Sequence, residues 1–70
     1  MPRFVEACEG RLGKWQVAVR WNREDPFELL DPSEARERAE AAEKRGDLEL
    51  AEELRSAASA ADRNNGSLSP

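Results

Sequence analysis

Residues 31–62 read DPSEARERAEAAEKRGDLELAEELRSAASAAD, and this stretch predicts two helices folded back on each other at Gly46-Asp47. Asp31 stands where a side-chain oxygen can accept from the free N–H groups of a first turn. Pro32 suits the first helical position, where a missing N–H has no partner to lose. Glu34 follows three residues after the cap, reaching back to the cap N–H and lying at the positive helix end. Leu30 and Ala35 hold the two positions of a hydrophobic staple. Glu34/Arg38 and Glu40/Lys44 are acid-first pairs four apart, each contributing about 0.3 kcal/mol. Lys44 and Arg45 favour the negative helix end, and Gly46 is the stop. The first helix is expected over 32–45.

Asp47 caps a second helix, expected over 48–63. Its apolar residues Leu50, Ala51, Leu54, Ala57, Ala58 and Ala61 recur three and four apart and form one stripe. The first helix offers only Ala35, Ala39 and Ala42. Alanine faces allow close approach but bury little area, and at about 25 cal/mol per Å2 they cannot hold two helices together alone. A third layer is required.

The bulk for that layer lies upstream. Residues 14–21, KWQVAVRW, alternate Trp15, Val17, Val19 and Trp21 with Lys14, Gln16, Ala18 and Arg20, one apolar face against one polar face of a strand. Residues 1–8, MPRFVEAC, supply its partner, with Val5 and Ala7 on one face and Phe4, Glu6 and Cys8 on the other. Gly10 and Gly13 bracket a turn, so a β-hairpin is expected over 3–21. These glycines lack the spacing and the following helix of a phosphate loop. Residues 22–30, NREDPFELL, repeat the cap-proline-x-acid pattern in Asp25-Pro26-Phe27-Glu28, which predicts one helical turn over 26–30. Phe27, Leu29 and Leu30 would then anchor the crossover on the core. Residues 64–70 have no periodicity and read as a frayed, disordered tail. The expected fold is α+β: a two-stranded antiparallel β-hairpin packed on an antiparallel helical hairpin (ββαα), one domain over 1–63.

Two resemblances add to this. KRGDLELAEELRSAASAAD, residues 44–62, resembles the second half of a tetratricopeptide-type repeat, with Gly46, Asp47, Leu48, Ala51, Leu54 and Ala58 at that family's turn and its small and large positions. In the first helix Ala39 fits, whereas Arg38 and Ala42 stand where large apolar residues are expected. The chain contains no second copy, and such arrays need about three. The order of a β segment followed by Pro32-Ser33-Glu34-Ala35-Arg36 resembles small uncharacterised proteins of high-GC actinobacteria and their phages. That resemblance implies a phage or prophage accessory protein and no particular activity.

Seventy residues, 37% of them charged and 39% apolar, make a core with little to spare, and oligomerisation commonly assists chains this small. A homodimer pairing at an open sheet edge into a four-stranded sheet is expected. The net charge is −4, divided between a basic N-terminal hairpin and an acidic remainder, which argues against nucleic-acid binding through the helices. One cysteine, Cys8, and no histidine point away from a disulfide, a zinc site of the usual kind and a His-assisted nucleophile, and toward the cytoplasm. The calcium-loop spacing is missing. Helix carboxylates interspersed with Arg and Lys read as a solvated face. No cofactor and no enzyme activity are expected, because a catalytic role needs a cleft that so small a core rarely leaves.

The leading functional expectation is a protein-interaction module, with Trp15, Trp21, Arg20 and Phe27 as candidate partner-binding residues. Both tryptophans read first as core, Trp21 being the better candidate for exposure at the strand end. The alternative is nucleic-acid binding by the hairpin, the tryptophan rings stacking bases and Arg3, Arg11, Lys14 and Arg20 meeting phosphates. No RNP, OB or KH signature supports it. An acidic mimic of nucleic acid is a third reading, weakened by the cations between the acids.

Overall fold

The computed structural model describes residues 3–10 and 13–65. Its elements are β1 (Phe4–Glu9), β2 (Trp15–Arg20), β3 (Glu28–Leu30), α1 (Pro32–Lys44) and α2 (Leu48–Asn64). The architecture is α+β, a sheet lying on a helix pair. The sheet is antiparallel with order β1-β2-β3, so it has three strands and not the expected two.

Strand alternation sorts the side chains. Val5 sits opposite Val19 and Ala7 opposite Val17, while Val17 also faces Leu30 on β3. These residues point at the helices. Val17 and Val19 are wholly buried, and Leu30 almost so. They close over Ala35, Ala39 and Ala42 of α1 and over Leu50, Ala51, Leu54, Ala57, Ala58 and Ala61 of α2. Small residues bring the two helices together, and branched side chains on the sheet supply the apolar volume that alanine lacks. The two tryptophans contribute less than expected. Trp15 is half-buried against the edge of the core, and Trp21 is exposed beyond the end of β2.

The segment expected to form a helical turn over 26–30 is instead β3, which pairs Leu29 with Ala18 and Glu28 with Val19. The physical reason is local. Five residues between two prolines cannot pay for nucleating a helix, whereas the open edge of β2 offers backbone partners at once. Asp31, held before Pro32, is also extended, with φ −66° and ψ 155°. Strand geometry has a second consequence. Of the three expected anchors only Leu30 enters the core, because Phe27 and Leu29 alternate to the opposite face. One edge of the expected two-stranded hairpin is thereby filled by this chain's own β3.

The helix ends follow the sequence signals, with one exception. The Asp47 carboxylate accepts from the Leu50 N–H at 3.3 Å and caps α2. Gly46 takes φ +90°, while its N–H donates to Glu43 O and the Asp47 N–H donates to Ala42 O. This is the Schellman closure, which needs a left-handed residue and therefore favours glycine. Asp31 departs from expectation: its side chain caps no helix N–H and instead accepts from Gln16 Nε2 at 3.1 Å, tying α1 to β2.

Surface ion pairs link the elements. Arg36 meets Asp62, and Arg55 meets Glu43 at 2.7 Å, both between the helices. Arg38, expected to pair along α1 with Glu34, reaches Glu28 on β3 at 3.5 Å. At the far end Asn65 clasps Trp15: Oδ1 accepts from the Trp15 N–H at 2.7 Å and Nδ2 donates to Trp15 O at 3.2 Å. Asn64 and Asn65, expected in the tail, thus belong to the folded part. Residues 66–70 of that tail lie outside the described residues. Among the described residues no helix is long and apolar enough to cross a membrane.

Candidate functional site

The face of the sheet turned away from the helices carries a second set of side chains in three rows. The strand register puts Phe4 beside Arg20, with Phe27 next in line. It puts Glu6, Ala18 and Leu29 in the middle row, and Cys8 beside Gln16 in the third. Among the described residues no further layer covers this face. Phe4 is 40% exposed, Phe27 49% and Leu29 45%. Taking about 200 Å2 for a full aromatic side chain, the three leave roughly 250 Å2 of apolar surface in water. They surround a shallow hollow of about 390 Å3, floored by Ala18 and Cys8.

The patch is held in shape by its own contacts. Phe4 and Phe27 meet edge to face, with ring centroids 5.2 Å apart and planes at 79°, the arrangement the ring quadrupoles favour. The Arg20 guanidinium lies over the Phe27 ring, 5.0 Å from its centroid. Its Nε is buried and finds no hydrogen-bond partner among the described residues.

Of the four residues singled out from the sequence, Arg20 and Phe27 come together here. Trp21 follows Arg20 immediately and is 37% exposed, at the start of a turn closed by the Asp25 N–H on Asn22 O. Trp15 belongs elsewhere, on the helix side at the opposite end of β2. The four therefore do not form one site. Phe4 and Leu29 were missed as members of the patch. Phe4 could have been found from the alternation that places it with Glu6 and Cys8, whereas the helical reading of residues 26–30 concealed Leu29.

Among the described residues the cations of the basic hairpin stand apart from one another. Arg3 donates through Nε to Glu53 at 3.1 Å and lies 3.9 Å from Asp47. Arg20 is stacked on Phe27, and Lys14 lies about 20 Å away along β2. Arg11 is outside the described residues. Among the described residues no group of three or more His, Cys, Asp and Glu side chains is arranged to hold a metal ion.

A different hollow, about 600 Å3 and open to solvent, runs between β1 and α2. Val5, Ala7, Trp15, Ala57 and Ala60 line it. Glu6, Glu49, Glu52 and Glu53 also line it. No protein-family model, curated protein or solved structure matches the chain at a significant level.

Proposed function

We propose that this chain is a non-catalytic protein-interaction module that presents the outer face of its sheet to a protein partner in the cytoplasm. The observation that carries the reading is the uncovered cluster of Phe4, Phe27 and Leu29 beside Arg20. Aromatic and arginine side chains are the usual energetic centre of an interface. These are already held against each other, so little side-chain entropy is lost on contact. The apolar area is far below the roughly 800 Å2 a partner covers in a standard interface. It is therefore the centre of a contact whose rim is polar, with Glu6 and Gln16 beside it. A phage or prophage accessory role, modulating a cellular protein, agrees with the sequence resemblance.

The test uses Phe27→Ser with Leu29→Ser. Both side chains are exposed and outside the core, so circular dichroism and the urea midpoint should stay close to those of the parent chain. Immobilised parent and variant are exposed to cytosolic extract of the host. A protein held by the parent and lost by the variant, with the loss reproduced by Arg20→Ala, supports the reading. Equal retention by all three chains sinks it.

A further inference from the structure

We propose that the free edge of β1 accepts an extended, basic segment of a partner protein as a fourth strand, seated over the groove between β1 and α2. This surface lies on the helix side of β1, away from the Phe27 and Leu29 cluster, and does not depend on the reading given above. In the order β1-β2-β3 one side of β1 has no strand beside it among the described residues, which leaves a row of N–H and C=O groups able to pair with another chain. Beneath that edge α2 presents Ser56, Ala57 and Ala60, whose small side chains keep the hollow of about 600 Å3 open. The six residues of β1 span roughly 20 Å, the length of an extended hexapeptide. Val5, Ala7 and Trp15 give an inward-pointing aliphatic side chain something apolar to meet.

Charge selects the occupant. Three carboxylates of α2, Glu49, Glu52 and Glu53, line the groove, and Arg3 pairs with Glu53. Phosphate backbones are repelled by this sign. A second copy is disfavoured as well, since pairing β1 with β1 across a two-fold axis brings two such acidic sets together. A strand alternating cationic and β-branched residues meets the edge, the floor and the carboxylates at once.

The experiment is fluorescence anisotropy of a fluorescein-labelled hexapeptide alternating lysine and valine, titrated with the full chain. Expected are saturable binding, weakening by about tenfold from low to physiological ionic strength, and no binding of a glutamate–valine counterpart. Glu49→Lys with Glu52→Lys, both on exposed positions of α2, should weaken binding by about tenfold or more. N-methylating alternate peptide amides removes the strand donors and should abolish it. Phe27→Ser with Leu29→Ser should leave it unchanged, which separates this surface from the outer face. Hydrogen exchange should slow over Phe4–Glu9 when the peptide binds. Equal binding of the glutamate peptide, indifference to N-methylation, or protection confined to other strands overturns the proposal. So does sedimentation of the chain alone as a stable dimer that loses association when β1 is blocked by Val5→Pro.

Discussion

Leu54 is among the largest side chains completely enclosed by the fold, and most of the residues around it are alanines that cannot move in to replace it. Leu54→Ala should lose about 3 kcal/mol through lost burial and the cavity left behind. A core of this size supplies on the order of 3–5 kcal/mol in total, so the variant should lack a folded baseline in a urea titration. Gly46 is the opposite case. A Cβ there would meet nothing within 4 Å, yet the backbone stands at φ +90°. Gly46→Ala should therefore cost about 1 kcal/mol from backbone conformation alone, measured as a lower urea midpoint at unchanged slope. Gly46→Asn should recover part of it, because asparagine tolerates the left-handed region better. The same reasoning locates the outer-face residues. Phe27 and Leu29 are large and apolar, but the extended chain turns them to the side the helices do not cover.

At the scale of elements, the two helix starts look alike in sequence and differ in the fold. Asp47 accepts from the Leu50 N–H, whereas Asp31 accepts from Gln16 on the sheet. Asp47→Ala should destabilise the chain by about 1 kcal/mol, and Asp31→Ala by clearly less, in chemical denaturation followed at 222 nm. Equal losses would show that Asp31 does cap α1 in solution. The third strand illustrates why a repeated signal need not repeat its structure. Asp25-Pro26 and Asp31-Pro32 carry the same N-terminal cue, but only the second is followed by enough residues to propagate a helix. A five-residue segment instead follows the nearest unsatisfied backbone, and that was the edge of β2.

At the scale of the molecule, apolar packing joins the two layers, and a polar clasp just past the end of α2 adds to it. Asn65→Ala removes both hydrogen bonds to the Trp15 backbone and should cost about 1–2 kcal/mol. The loosened end of α2 should be visible as a red shift of tryptophan emission. The ion pairs between elements are different in kind. All are exposed to water, where each contributes between 0 and about 1 kcal/mol. Raising salt to about 0.5 M should shift the thermal midpoint only slightly. A large loss would mean that the helix-to-helix pairs Arg36–Asp62 and Arg55–Glu43 act together as a network.

Read alone, the order of residues determined the helical hairpin, its reversal at Gly46, the apolar stripes and the need for a sheet above them. Those features are written in periods of 3.6 and 2 and in residues whose backbone preferences act locally. Tertiary structure alone decided three further matters: that residues 28–30 extend the sheet, that Val17, Val19 and Leu30 outweigh the tryptophans as cover, and that Phe4, Arg20, Phe27 and Leu29 share one face. Each depends on which backbone edge and which side of a layer is left over once the other elements are in place. No local pattern encodes that, because the deciding partner is another element of the fold and not a sequence neighbour.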